Sequence, residues 1–261
     1  LTLDSPPLDS ASGPRPVAIR LENLGKSFDG FWAVSELDLE IPEGEFFAFL
    51  GPNGAGKTTT IKMMTGLIRP STGRAFIGGN DIQADPLAAK RLIGHIPDHP
   101  YLYEKLSGRD FFYFIGDLYG IGRDEQEERR RHYFELFGIE HAADRLIENY
   151  SHGMRQKLCF SVALMHRPRV IVVDEPLVGL DPQSARIVKN LLLDECRRGA
   201  TVFMSTHLLA IAEELSHRIG IIHHGQLRFL GTLEEMRHHA RRDGSLEDLF
   251  LALTADNGTP E

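Results

Sequence analysis

An α/β fold, with strands alternating with helices around a parallel sheet and a helical block set into it, is predicted by three observations. The apolar segments Phe46 to Leu50 and Val170 to Val173 read as strands buried on both faces, and each delivers polar, chemistry-bearing residues at its carboxyl end. Helical patterns separate these strands from further β-like segments, the order that builds a parallel sheet. From about Asp98 the texture changes to longer helices, which predicts an inserted helical subdomain over roughly residues 98–168.

The elements follow in order. Residues 1–16 are rich in Pro, Ser and Asp without periodicity and are expected to form a disordered leader. Val17 to Asn23 and Leu37 to Ile41 alternate as strands, and Pro42-Glu-Gly44 turns the second into the strand Phe46 to Leu50. Between them Ser27 to Trp32 carries aromatics on a turn; such rings either stack on a nucleobase or anchor a minor core. A helix over Thr58 to Leu67, a strand over Arg74 to Ile77, a helix over Pro86 to Leu92 and a strand over Ile93 to Pro97 come next. Ser107-Gly-Arg-Asp110 is a capping box opening a helix through Phe111, Phe114, Ile115 and Leu118. Helices are expected over Asp124 to Phe137, over Ala142 to Ile147, and after Tyr150 through Leu158, Val162 and Leu164. The sheet pattern resumes at Val170, followed by a helix over Pro182 to Arg197 and a strand over Thr201 to Ser205. A helix over Leu208 to Glu214 leads to strands over Arg218 to Ile222 and Gln226 to Leu230, which turn at His223-His-Gly225. The tail, residues 233–261, ends in a short amphipathic stretch from Leu246 to Leu253.

The residues after Leu50 carry the strongest signal. Gly51-Pro52-Asn53-Gly54-Ala55-Gly56-Lys57-Thr58-Thr59 fits G-x-x-x-x-G-K-[ST] between a strand and a helix, the context the motif needs. Three glycines let consecutive N–H groups turn inward on a polyphosphate, and the helix N-terminus adds partial positive charge. Lys57 is expected to reach the β and γ phosphates and the Thr58 hydroxyl to ligate Mg²⁺. Asp174 and Glu175 stand where the second buried strand ends, the edge of an α/β sheet at which ligands sit. Alone, Asp-Glu there would read as a solvated turn and helix cap. Joined to the phosphate loop it predicts Asp174 holding Mg²⁺ through water and Glu175 acting on the attacking water as general base.

The whole chain narrows the class. With 261 residues there is ample sequence for a core, and a net charge of -8 argues against nucleic acid as the main partner. Arg129-Arg-Arg131 sits beside Glu127-Glu128 and reads as a solvated helix face. Cys159 and Cys196 have neither CxxC spacing nor metal-like neighbours, which suits a reduced cytoplasmic compartment. The pairs His223-His224 and His238-His239 lack accompanying ligands and read as turn and surface residues. No apolar run approaches a membrane span.

In this order the motifs resemble the ATPase subunit of ATP-binding cassette (ABC) transporters, over roughly residues 17–232. Besides the phosphate loop and Asp174-Glu175, Tyr150-Ser151-His152-Gly153-Met154 occupies the place of the family signature. Gly179-Leu-Asp181 matches the loop after Glu175, and Ser205-Thr-His207 the switch histidine. The resemblance implies a P-loop NTPase core, a RecA-like mixed sheet with an antiparallel β subdomain, plus the inserted α-helical subdomain. It implies ATP and Mg²⁺ as ligands and an integral membrane permease subunit as partner. A second ATPase subunit would be joined head to tail, as a homodimer, placing the chain on the inner face of the membrane. Phe28 would stack on adenine. Ser151, His152 and the Gly153 N–H would meet the γ-phosphate of the opposite subunit, with Asp181 joining the two sites and His207 holding water and Glu175 in line.

Two departures stand out. The family's Gln after the strand ending at Pro97 is Asp98 here, expected to reach Mg²⁺ or its water. In the signature, Tyr150, His152 and Met154 replace Leu, Gly and Gln, a variant that resembles bacterial exporter ATPases of the ABC-2 type. Tyr101, Tyr103, Phe111 and Phe112 are candidates both for a docking groove and for plain helical core. Rival expectations are a non-transport ABC ATPase, whose usual paired cassettes, coiled coils and zinc modules this sequence lacks, and a regulatory cassette with low turnover.

Overall fold

The computed structural model describes residues 15–240 and 246–254; the rest of the expected leader and of the tail lies outside the described residues. In chain order the strands are β1 (Val17–Phe28), β2 (Phe31–Pro42), β3 (Phe46–Leu50), β4 (Thr72–Ile77), β5 (Asn80–Asp81), β6 (Ile93–Ile96), β7 (Val170–Asp174), β8 (Thr201–Thr206), β9 (Arg218–His223) and β10 (Gln226–Thr232). The helices are α1 (Lys57–Met64), α2 (Pro86–Arg91), α3 (Gly108–Leu118), α4 (Arg123–Leu136), α5 (His152–Leu164), α6 (Pro182–Arg197), α7 (Leu209–Leu215), α8 (Leu233–Ala240) and α9 (Leu246–Thr254).

Two sheets result. β2-β1-β4-β5 is antiparallel throughout, and β10-β9-β3-β8-β7-β6 is parallel except for its β10–β9 edge pair. β1 and β2 run farther than the alternation predicts because register shifts absorb extra residues and break the period of two. They meet in a two-residue turn, Asp29-Gly30, with φ of 48° and 88°. Those positive values match the right-handed strand twist of a tight hairpin, and they need Gly or a short polar residue.

The larger sheet is buried on both faces, which is why its strands read as apolar runs. Phe46, Ala48, Leu50, Ile171, Val173, Val202 and Met204 face the core shared with the helical block. Phe47, Phe49, Val170, Val172 and Phe203 face a second core with the antiparallel sheet. Parallel register then brings the carboxyl ends of three strands to one line: Leu50 pairs with Thr206, and Asp174 with Ser205. That line is the floor of the site.

The helical block is anchored by local chemistry. Ser107 Oγ accepts from the Asp110 N–H at 3.0 Å, capping α3. The polar helix α4 is held by the buried Arg130, paired with Glu127 at 3.0 Å and Glu140 at 2.6 Å. The helix expected over Ala142 to Ile147 does not form; two single 3₁₀ turns, Glu140–Ala142 and Ile147–Asn149, stand there instead. Six residues are too few to repay helix nucleation, so packing of Ala142, Ala143 and Ile147 decides the path. Of the four docking candidates, Tyr101 and Tyr103 are exposed while Phe111 and Phe112 are core. In the tail, Met236 of α8 is fully buried against the same core, with Phe250 and Leu253 of α9 packed on it.

Tyr150, one of the three replacements in the signature, is buried and donates to the Ala142 carbonyl at 2.7 Å. A Cβ on Gly108 would stand 2.1 Å from its hydroxyl oxygen. Gly108→Ala is therefore expected to cost about 1–3 kcal/mol of stability, the range for overpacking. Adding Tyr150→Phe should return part of that loss, because the clashing oxygen is gone. Urea midpoints of the two single variants and the double variant check this; simple additivity would contradict the contact.

Candidate functional site

The phosphate loop is shaped by where it must pass. Gly56 has φ of 112°, and a Cβ there would lie 2.6 Å from the Ala33 carbonyl oxygen, so both conformation and space require glycine. α1 starts on the next residue with no side-chain cap and no acidic residue in its first turn. Its first N–H groups are thus left for an anion. Lys57, 6% exposed, folds back over the loop and donates to the carbonyls of Gly51 at 2.7 Å and Pro52 at 3.1 Å. Its ammonium also lies 3.7 Å from Glu175 Oε1. Burial lowers the Lys57 pKa, and the nearby Glu175 and Asp174 carboxylates oppose that shift.

β7 brings Asp174 to the loop. Thr58 Oγ1 donates to Asp174 Oδ2 at 2.9 Å, and the Ser205 hydroxyl donates to Oδ1. Nothing local in the sequence marks Ser205 for this role. A hydroxyl ending a buried strand beside the Asp174 strand is a signal visible only once β7 and β8 are paired. Glu175, the next residue, adopts φ of 48°, which few non-glycine residues do, and its N–H donates to the Ser205 carbonyl at 3.1 Å. This turn swings its carboxylate from the strand axis toward His207, whose Nδ1 lies 2.9 Å from Glu175 Oε1.

Lys57, Thr58, Asp174 and Glu175 line one open cavity of about 210 Å³, with Ala33, Pro52, Asn53, Gly54, Gly56, Thr59 and Asp98 completing the wall, while Ser205 and His207 stand behind the two carboxylates and outside that lining. Asp98 Oδ2 is turned to its neighbour, 2.8 Å from His99 Nδ1. Among the described residues, three carboxylates thus line the space against the Lys57 ammonium alone. A polyphosphate would be repelled from that lining unless a divalent cation came with it. The donors fit Mg²⁺: hard oxygens from Thr58 and Asp174, with Asp98 on the wall of the same cavity.

The remaining predicted residues are not brought into this cavity. Ser151 is the N-cap of α5 and accepts from the Met154 N–H at 3.3 Å. The His152 ring stands against Gly179, where a Cβ would be 3.1 Å from its Nε2, and His152 itself is exposed. Gly153 follows in the first turn, half-buried. Asp181 caps α6, accepting from the Ser184 N–H at 2.9 Å, and the Ser184 hydroxyl holds its carboxyl below the usual range. Phe28 sits at the β1–β2 turn, 47% exposed and outside the cavity lining. His223, expected at the surface, is buried at the end of β9, while His224 is exposed in the turn. A larger cleft of about 590 Å³, lined by Arg129, Arg167, Arg169 and Arg198 among others, shares no residue with the phosphate cavity. Three of those arginines are already paired with glutamates.

Known proteins agree with this geometry. A family model described as ABC transporter matches residues 34–178. The linearmycin resistance ATP-binding protein LnrL of Bacillus subtilis is 34% identical over 84% of this chain and 70% of its own length. The daunorubicin/doxorubicin resistance ATP-binding protein DrrA of Streptomyces peucetius is 36% identical over 84% of this chain and 67% of its own. A solved structure of the ATP binding subunit of an ABC transporter superposes with a TM-score of 0.85 at 30% identity, covering 90% of this chain and 99% of that one. With its phosphate loop and paired carboxylates in one cavity and the switch histidine on Glu175, the chain belongs to the ABC transporter family, as an ATP-hydrolysing, nucleotide-binding subunit that powers transport.

Proposed function

We propose that this chain drives export through a separate membrane permease, working as a head-to-tail homodimer on the inner face of the membrane. The resistance functions in the names of LnrL and DrrA support export. No helix among the described residues is long and apolar enough to cross a membrane, consistent with a partner that supplies the path. The net charge of -8 weighs against nucleic acid as that partner. The observation that carries the dimer is a division of the site: Lys57, Asp174, Glu175 and His207 converge, whereas Ser151, His152 and Gly153 stand elsewhere at a solvent-exposed helix start. A second copy turned end to end would bring that helix start onto the γ-phosphate.

In this reading Gly51 to Thr59 cradle the phosphates, with Lys57 on the β and γ oxygens. Thr58 and Asp174 hold Mg²⁺, which when bound neutralises phosphate charge. Glu175 takes a proton from the attacking water, and His207 keeps the carboxylate aimed. Phe28 meets the adenine, Asp181 the subunit boundary. Purifying the chain from solubilised membranes tests the assembly. A co-purifying integral membrane protein and a phosphate-release rate that depends on it are expected; a soluble chain with no such companion would overturn it.

Asp98 supplies a sharper test. Its carboxylate borders the cavity but is engaged with His99, so it acts from a withdrawn position. Asp98→Ala is expected to lose coupled hydrolysis while ATP affinity stays within about tenfold, some 1.4 kcal/mol. Asp98→Gln should keep substantial activity, since an amide can also contact the metal-bound water. Wild-type rates for Asp98→Ala with the permease present would reduce Asp98 to a loop residue.

A further inference from the structure

We infer that Phe28 and Phe31 together form the nucleobase site, Phe31 being a second stacking wall beside the one expected. The inference rests on the nucleotide reading above and extends it to a residue with no assigned role. Phe28 and Phe31 are direct cross-strand partners closing the β1–β2 hairpin, so their side chains leave the same face of the ribbon. The pair before them on that face is Lys26 and Val34. Val34 reaches the phosphate loop: its Cγ2 lies 3.1 Å from where a Cβ on Gly56 would stand. Ala33, the extra residue of β2 at this register shift, lines the phosphate cavity itself. The two rings therefore continue, in one direction, the surface that begins at the phosphates.

Both rings are held open to solvent, Phe28 at 47% and Phe31 at 69% exposure. Two large apolar side chains side by side at a hairpin tip, uncovered, mark a binding surface more than a core. Lys26 Nζ stands 5.1 Å from the Phe28 ring centroid and shades part of that ring. Among the described residues Phe31 makes neither a ring nor a cation contact, and it is the more exposed of the two. A base entering from the phosphates meets a partly capped ring and an open one. Trp32 is excluded from this role. It pairs with Ser27 on the opposite face and packs at Gly25, in a separate cavity with Asn23, Thr72 and His224. The ligand class that fits is a purine nucleoside triphosphate, the larger base covering both rings.

The test titrates the full chain with ATP and with magnesium tripolyphosphate, which has the phosphates and no base. Phe28→Ala and Phe31→Ala are each expected to weaken ATP by roughly tenfold, with tripolyphosphate unchanged and Trp32→Ala matching wild type for both. Wild-type ATP affinity in Phe31→Ala alongside a loss in Phe28→Ala would overturn the second wall while leaving the nucleotide site intact. An equal loss in Trp32→Ala would also overturn it, by showing that any change to the hairpin weakens binding. Failure of the wild-type chain to bind either ligand would instead bring down the phosphate-site reading, and this inference with it.

Discussion

Glu175→Gln is expected to bind ATP nearly as wild type does and to hydrolyse it about 10²–10⁴-fold more slowly, the range for losing a general base. The amide keeps the length and shape of the side chain, so the contact to His207 Nδ1 at 2.9 Å can persist with the ring in its other tautomer. What disappears is an oxygen able to take a proton. The backbone at φ 48° is unchanged, and Gln pays for that conformation much as Glu does. Because binding survives and turnover stops, the variant should accumulate an ATP-bound dimer. Phosphate release and sizing in ATP and Mg²⁺ check the two halves separately. Hydrolysis within tenfold of wild type would remove Glu175 as the base, and a monomer under all conditions would count against the shared site.

Lys57→Ala should weaken ATP by roughly a hundredfold or more, about 3 kcal/mol for charge-assisted hydrogen bonds lost to phosphate oxygens. Two further effects act in the same direction. The Gly51 and Pro52 carbonyls lose the donor that holds the loop closed. The cavity keeps Asp98, Asp174 and Glu175 without the one cationic side chain that lines it among the described residues, so the incoming triphosphate meets uncompensated charge. Lys57→Arg is not expected to rescue, since a planar fork cannot pass through a space shaped for one buried ammonium. Calorimetric titration and phosphate release are the measurements. Near-normal turnover in Lys57→Ala would take the phosphate loop out of the mechanism.

The chemistry of this site was legible wherever it is carried by neighbours in sequence. Glycines at Gly51, Gly54 and Gly56 announce a tight backbone before any contact is known, and a lysine and threonine at the following helix start identify a phosphate cradle. Val170 to Asp174 reads as a buried strand because both of its faces meet apolar partners, leaving no polar alternation. Caps behave the same way: Ser107 and Asp181 satisfy N–H groups three residues on, within the reach of local reading.

Other features were decided only when distant segments met. Thr58 bonds Asp174 across 116 residues of chain, and Ser205 and His207 complete the two carboxylates from the neighbouring strand, some 30 positions away. The order β3-β8-β7 makes those contacts, and no local propensity encodes it. The same is true of the left-handed turn at Glu175, the burial of Tyr150 beneath Gly108, and the path from Ala142 to Ile147, where packing overrode a weak helical pattern. By itself the sequence determined which residues can hold phosphate, metal and proton, because backbone conformation and side-chain chemistry are local properties. The tertiary structure decided which of them share one cavity, because that depends on strand order and on burial of surfaces far apart in the chain.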